Sequence, residues 1–227
     1  MPNPLLSDRD LQFVLYELLA VEELCGLAGF AEHSRATFDA YVGACRRLAR
    51  EVLLPSYRPI DEQPPRLQDG RVTVHPLLRE LWPTLKALGV IAATMPVEQG
   101  GAQLPLTVAT AANLYLMAGN LSAYGYAGLT TGAAHLIASF GSEAMKARYL
   151  PPLLEGTWTG TMALTEPHAG SSLADVRTRA TPAGDHFLLS GAKIFISGGD
   201  HDLAENIVHL VLARIDGAPA GGSPGSN

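Results

Sequence analysis

Cysteine, charge and long apolar runs are all scarce in this chain of 227 residues. Its two cysteines, Cys25 and Cys45, are too few for a disulfide framework, and their apolar helical surroundings favour buried free thiols in a reducing compartment. The net charge of −6 argues against a uniformly basic surface for nucleic acid. The apolar fraction of 47% is nevertheless that of a folded globular protein.

Signals for secretion and for membrane insertion are also missing. Residues 1–10 have no basic segment followed by an apolar one, so no secretory signal is expected. Residues 99–142 contain no Asp, Glu, Lys or Arg, but Pro105, Asn120 and His135 interrupt them, and no clean run of about 20 apolar residues remains. We expect a cytoplasmic protein with charge-poor buried helices and no membrane partner.

Helical periodicity dominates the first part of the chain. Apolar residues recur at helical spacing through residues 11–19, 38–52 and 76–89. Pro55 predicts the end of the second of these helices. Residues 56–73 are rich in Pro, Asp, Gln and Arg, which predicts an exposed connection.

A second group of helices is expected before a change of pattern. Two buried helices should cover residues 107–118 and 122–140, and Ser142 should cap a third that stops before Gly156. Short segments rich in β-branched or aromatic residues then predict strands. They are residues 157–165, 176–181, 186–190, 193–197 and 207–214. The pattern predicts an α+β protein whose last strands leave unpaired edges, so we expect an incomplete β-domain.

Two turns have residues suited to a cofactor. Residues 162–172, MALTEPHAGSS, run from a strand into a Gly/Ser turn, whose N–H groups and hydroxyls suit a flavin rim or a phosphate. Residues 195–199, FISGG, place an aromatic residue before a hydroxyl, which suits a flat ring. On the residues alone, two ordinary strand-end turns are the favoured interpretation.

Other polar clusters have simpler interpretations. Glu166 and His168 offer acid–base chemistry, but a solvated turn is the favoured interpretation. His201, Asp202 and Glu205 offer three metal ligands, but loop hydrogen bonding explains them better. No metal site is therefore predicted.

Several runs together resemble the acyl-CoA dehydrogenase family. The runs MALTEPHAGSS, RTRAT and SGAKIFISGGDHDLAENIVHLVLAR resemble its middle domain, and PVEQGGAQLP and GSEAMKARYLPPLLEGTWTG resemble its helical domain. The resemblance extends to about Pro219 in the family's order. Residues 13–24 and the run GGDHDLAEN look most like the branch that contains methylmercaptopropionyl-CoA dehydrogenase.

The resemblance implies a division into domains. Residues 1–156 would form the N-terminal helical domain, with a branch-specific extension over residues 1–35. Residues 157–216 would be the start of the middle β-domain, and residues 217–227 an atypical flexible tail. The family's C-terminal helical bundle, with its catalytic glutamate, would lie downstream, so we expect an amino-terminal fragment and assign no catalytic residue within it.

The resemblance also implies FAD as cofactor and places its contacts residue by residue. Two groups of residues would contact FAD. The first group would be Met162, Leu164, Thr165, Gly170 and Ser171, and the second Phe195, Ile196 and Ser197. The Thr165 hydroxyl would face the reactive edge of the ring, and Phe195 its face. Ser171 would also lie near the CoA moiety, and Tyr124 and Gly128 in helices that wall the acyl pocket, although core packing explains Tyr124 equally well.

The implied reaction is α,β-dehydrogenation of an acyl-CoA thioester, in fatty acid metabolism or DMSP degradation. An electron-transfer flavoprotein would accept the electrons, and the full-length protein would form a homo-oligomer. We expect weak or absent FAD binding and no activity from these 227 residues alone. A non-catalytic truncated remnant and a partner-binding helical module remain alternatives. A third, the DNA-associated branch of the superfamily, is disfavoured by the acidic balance.

Overall fold

Helices dominate the chain up to residue 154 in this computed structural model, which describes residues 5–217. The described α-helices are α1 Asp8–Gln12, α2 Arg35–Leu48, α3 Leu54–Glu62, α4 Pro76–Ala87, α5 Leu106–Phe140 and α6 Glu143–Leu154. All but Gly217 of the tail assigned to residues 217–227 lies outside the described residues. No helix within them is long and apolar enough to cross a membrane.

The predicted helix end at Pro55 is wrong. Helix α2 continues through a π-helical turn, Ala49–Leu53, into α3. The Leu54 N–H bonds five residues back, to the Ala49 carbonyl, and Pro55 then lies in the first turn of α3, where a residue without an N–H is tolerated. The exposed connection expected over residues 56–73 is therefore partly helix, and strands β1, Arg66–Gln68, and β2, Arg71–Thr73, form an antiparallel hairpin in the rest.

The two buried helices expected after residue 106 are confirmed as the two halves of α5. The helix is interrupted at Asn120, which has extended backbone angles of φ −164° and ψ 97°. The buried Asn120 side chain accepts the Ala123 N–H at 3.1 Å and so caps the second half. At Gly119, an added Cβ would lie 3.0 Å from the Ala49 carbonyl oxygen, so a larger residue would require the two helices to move apart by a few tenths of an ångström.

The core of the helical part lies between α2, α4 and α5. Its largest fully buried side chains include Phe38, Leu53, Leu85, Tyr115 and Leu116. Cys45 is buried there as a free thiol, whereas Cys25 is half-exposed, so the expectation of two buried thiols is only half right. Ser142 caps α6 by accepting the Met145 N–H at 3.3 Å, as predicted.

Short strands follow the helices, which confirms the α+β prediction. They are β3 Trp158–Ala163, β4 Arg179–Ala183, β5 His186–Ser190, β6 Asn206–Val211 and β7 Arg214–Ile215. Strand β3 pairs in parallel with β6, and β4 lies between β5 and β7. Strand β3 packs on α5 at Gly160, where an added Cβ would lie 2.4 Å from the Cβ of Ala133.

The strand predicted over residues 193–197 is wrong. These residues form no strand, and Phe195 has a positive φ of 57°, which extended backbone does not allow. The apolar and aromatic side chains that suggested a strand are instead presented by a turn.

Candidate functional site

Two loops that are far apart in the sequence meet at the end of β3. The Ile194 N–H donates to the Thr165 carbonyl at 3.0 Å. One residue earlier on each loop, the Lys193 ammonium donates to the Leu164 carbonyl at 2.9 Å. The structure therefore lays the loop after β3 beside the turn that carries Phe195, Ile196 and Ser197.

The first loop folds back on itself after Thr165. Glu166 and Ala169 exchange backbone hydrogen bonds of 2.8 and 3.1 Å, which form a tight turn. The turn brings Gly170 over Thr165, whose Cγ2 lies 3.6 Å from the position of a Cβ on Gly170. Gly170 and Ser171 are exposed, while Met162, Leu164 and Thr165 are half-buried at the end of β3.

The second turn holds its aromatic residue in an unusual conformation. The Phe195 side chain is 87% exposed, and its backbone is left-handed. Such a conformation costs a residue with a Cβ roughly 1–3 kcal/mol and persists where the surroundings impose it. Gly198, also at positive φ, packs on the ring of Tyr126 and fixes the far side of the turn. The fold thus presents an aromatic face at the surface.

Three hydroxyl groups lie along the two loops. Within the described residues, the side chains of Thr165, Ser171 and Ser197 make no hydrogen bond to the protein. Ser172 is different, because its hydroxyl donates to Asp175 at 2.6 Å. Three hydroxyls beside one exposed aromatic ring can recognise a flat, polar-rimmed molecule.

Glu166 is buried, so the solvated turn expected for it is wrong. Its carboxylate accepts the backbone N–H groups of Arg177 at 2.6 Å and Thr178 at 2.9 Å. It also accepts the Thr178 hydroxyl at 2.6 Å and the Lys193 ammonium at 2.8 Å. The neighbouring His168 is exposed and bonds to the Asp175 carbonyl. Local composition missed Glu166 because its charged partner is distant in sequence.

This network decides the charge of Glu166. Burial alone would raise its pKa, but hydrogen bonds from Lys193, Thr178 and the Arg177 amide hold the pKa well below its usual range. The carboxylate is ionised throughout the physiological range. It is therefore a fixed negative charge and not a proton acceptor.

The two tyrosines of α5 nearest the site have different surroundings. Tyr124 is buried in the helical core, and its ring lies 3.1 Å from the position of a Cβ on Gly128. Burial raises the pKa of Tyr124 to about 12, so its phenol is neutral. Tyr126 instead packs beside Gly198 and edge-on against His201, with ring centroids 5.0 Å apart. Tyr126, not Tyr124, is the tyrosine that adjoins the second loop.

His201 and Asp202 are occupied by hydrogen bonds, as the sequence indicated. His201 Nδ1 accepts the Leu203 N–H at 3.1 Å, so Nε2 carries the proton and donates to the Thr159 hydroxyl at 3.0 Å. Asp202 accepts the Val74 N–H at 3.0 Å and pairs with Arg79. Over residues 5–217, no cluster of three or more His, Cys, Asp or Glu side chains is placed to hold a metal ion.

Comparison with known proteins matches one family over half of the chain. Residues 37–157 match the profile of the acyl-CoA dehydrogenase N-terminal domain. The 3-methylmercaptopropionyl-CoA dehydrogenase of Ruegeria pomeroyi is 37% identical over 214 residues, which are 94% of this chain. They are only 36% of that relative, so the chain spans about a third of its length.

Solved structures agree with the sequence comparison. Glutaryl-CoA dehydrogenase from Mycobacterium smegmatis superposes with a TM-score of 0.67 and 30% identity, over 83% of this chain and 45% of that one. A glutaryl-CoA dehydrogenase from the same organism, in complex with FADH2, gives a TM-score of 0.66 and 26% identity, over 79% and 43% of the two chains.

Proposed function

Because this chain belongs to the acyl-CoA dehydrogenase family, we propose that it provides the FAD-contacting part of an enzyme that dehydrogenates acyl-CoA thioesters. One observation carries the proposal most directly, the 3.0 Å hydrogen bond from Ile194 to Thr165 that sets the two loops side by side. A structural relative binds FADH2, which supports FAD as the cofactor.

The residues on the two loops fit a flavin. The exposed Phe195 ring offers a face for a flat ring system. The hydroxyls of Thr165, Ser171 and Ser197, which have no protein partners, are proposed to hydrogen-bond its polar rim. Met162, Leu164 and Ile196 offer half-buried apolar contact. A flavin would therefore receive stacking, hydrogen bonding and partial shielding from water in one place.

FAD supplies an acceptor for the hydride that leaves the β-carbon of the thioester. Thr165 is proposed to donate its hydroxyl proton at the reactive edge of the ring, where a donor stabilises the charge that develops. Phe195 would shield one face of the ring from water. Ser171 and Gly170 lie on the exposed turn, where they are proposed to meet the CoA moiety, while Gly128 and the neutral Tyr124 are proposed to bound the acyl side.

The base that removes the α-proton is not assigned among these residues. Glu166 is the carboxylate nearest the two loops, but its four donors and its low pKa leave it no capacity to accept a proton. Since the chain spans about a third of its curated relative, we propose weak FAD binding and no dehydrogenation by the 227 residues alone.

Substrate and electron acceptor follow from the same family membership. We propose an acyl-CoA thioester, with 3-methylmercaptopropionyl-CoA the first to be tried, because a relative with that activity aligns over 94% of this chain. An electron-transfer flavoprotein is the proposed acceptor.

Titration of the purified chain with FAD, followed by flavin fluorescence, tests the cofactor assignment. We expect weak saturable binding, weakened roughly fivefold in Phe195→Ala because a stacked aromatic pair contributes about 1 kcal/mol. Phe187→Ala is the matched control, since Phe187 is also exposed but lies on β5. Equal effects of the two substitutions, or no saturable binding, would contradict the proposed site.

One observation favours a second candidate function, that of a partner-binding module. Phe187, Leu188 and Leu189 on β5 are each more than half exposed, and β5 is an outer strand of its sheet. Exposed apolar edge strands pair readily with other chains. A shift to a larger species in light scattering that Leu188→Lys abolishes, with no FAD binding, would favour this candidate.

A further inference from the structure

Lys193 connects the two loops of the proposed site, the loop that follows β3 and the turn that carries Phe195. Its ammonium group donates both to the Leu164 carbonyl and to the Glu166 carboxylate, at 2.9 and 2.8 Å. The Lys193 side chain is 11% exposed and the Glu166 side chain 2%. Lys193 therefore connects its own loop to two positions of the other loop, one on each side of Thr165.

The other contacts of Glu166 make it a rigid anchor. The Arg177 and Thr178 amides and the Thr178 hydroxyl hold the carboxylate to the chain just before β4. These three donors do not depend on Lys193. Removal of the Lys193 ammonium would therefore loosen the second loop, which keeps the Ile194 hydrogen bond to Thr165, and would leave the Glu166 carboxylate three of its four donors.

The turn that carries Phe195 needs contacts that hold its backbone conformation. Phe195 lies two residues after Lys193 and holds a left-handed conformation although its side chain is almost fully exposed. A strained residue keeps its conformation only where its neighbours impose it. The attachments seen here are Lys193 and Ile194 on one side of Phe195 and the Gly198–Tyr126 contact on the other.

We propose that Lys193, held by Glu166, is a positioning residue for the flavin site: it fixes the turn that presents Phe195 against the Thr165 end of β3. The role in flavin binding rests on the proposed function. The hydrogen bonds by which Lys193 connects the two loops do not require a cofactor. The two parts are therefore separable by experiment.

The test compares three forms of the 227-residue chain, namely wild type, Lys193→Met and Thr178→Val. Lys193→Met removes the link between the loops, whereas Thr178→Val removes a donor to the same carboxylate and leaves the link. The first measurement is hydrogen–deuterium exchange over residues 192–199 without ligand. The second is FAD affinity, together with the visible circular dichroism of bound FAD.

We expect Lys193→Met to speed exchange at Ile194 about tenfold and to weaken FAD binding by a similar factor, as for loss of a hydrogen bond to a charged group. Its flavin dichroism should also change, because the ring would lose a fixed neighbour. Thr178→Val should lower the melting temperature and leave exchange over residues 192–199 and the dichroism unchanged.

Each result decides a different claim. Unchanged exchange and dichroism in Lys193→Met would overturn the positioning role, and so would an equal change in Thr178→Val. Faster exchange in Lys193→Met with no FAD binding by the wild type would support the link and refute the proposed cofactor function. If Lys193→Met does not fold, Lys193→Gln is used instead; it loses the ion pair with Glu166 and keeps at most one neutral hydrogen bond, so the same changes are expected at a smaller size. Unchanged exchange and dichroism in Lys193→Gln would then overturn the positioning role.

Discussion

Asn120 donates from Nδ2 to the Ser56 hydroxyl at 2.9 Å, at the point where α5 departs from helical geometry. The Ser56 hydroxyl in turn donates to the Leu53 carbonyl at 2.6 Å. A break in one long helix is thereby fixed by the continuous helix α2–α3 beside it. The second half of α5, which carries Tyr126 toward the site, takes its direction from this contact.

Asn120→Ala should destabilise the fold by about 2 kcal/mol, because it leaves the buried Ser56 hydroxyl without its donor and the Ala123 amide uncapped. Urea unfolding followed by circular dichroism measures the change. Asn113→Ala, in the regular part of the same helix, is the control and should be neutral or slightly stabilising, because Ala is the better helix former. Equal losses would contradict the capping role.

Gly160→Ala should destabilise by about 1–3 kcal/mol, since its new methyl group would collide with Ala133 and push β3 away from α5. The double variant Gly160→Ala/Ala133→Gly should recover part of the loss, because it restores the space. Gly125→Ala, on the same helix where an added Cβ meets nothing within 4 Å, is the control and should not destabilise. Thermal unfolding of the four proteins checks the set.

Stability should fall as the pH falls below the ordinary pKa of histidine, about 6.5. Burial lowers the pKa of His201, which must stay neutral to accept the Leu203 N–H. A group whose pKa is lower in the folded state stabilises fully above its unfolded pKa, and this contribution is lost as the pH falls toward its folded pKa.

The pH dependence of His201 is measured by urea unfolding between pH 5 and pH 8, the range over which an ordinary histidine titrates. His201→Gln should be less stable at neutral pH and should show a flatter profile. A residual slope should remain, because burial also lowers the pKa of His135. A profile as steep as that of the wild type would show that His201 does not contribute.

Phe195→Asn should stabilise the chain by roughly 1 kcal/mol, because Asn tolerates left-handed backbone and the exposed ring contributes little to the core. The same substitution should abolish the proposed stacking on FAD. Phe187→Asn, in the extended strand β5, is the control and should destabilise. Melting temperature and flavin fluorescence together test the trade-off, and destabilisation by Phe195→Asn would argue against strain at this position.

Local signals predicted the elements whose causes are local. The Ser142 cap, the interruption in the charge-poor stretch and the segments rich in β-branched or aromatic residues at β3, β5 and β6 each depend on neighbouring residues. Pro55 was misleading because a π-helical turn precedes it. The apolar run around Phe195 suggests a strand, but the left-handed backbone of Phe195 makes it a turn in which the ring of Phe195 is exposed.

The site was predicted less completely than the fold. The sequence resemblance selected two loops, and the structure places them in contact through Thr165 and Ile194. The resemblance did not indicate the burial of Glu166, whose cationic partner, Lys193, is 27 positions away in the sequence. Such a pair leaves no periodic pattern, so neither composition nor motif reading finds it.

The Glu166 network also bears on the order in which the molecule folds. Its carboxylate joins three stretches of chain, the end of β3, the approach to β4 and the turn at Lys193. Contacts between stretches that are distant in the chain form more slowly than the local contacts of helices, because loop-closure entropy must be lost before these contacts can compensate for it. The helical half can therefore form before the two loops meet, and a kinetic intermediate with full helical dichroism would still lack the binding surface. Competence for the ligand would then be the last property acquired during refolding.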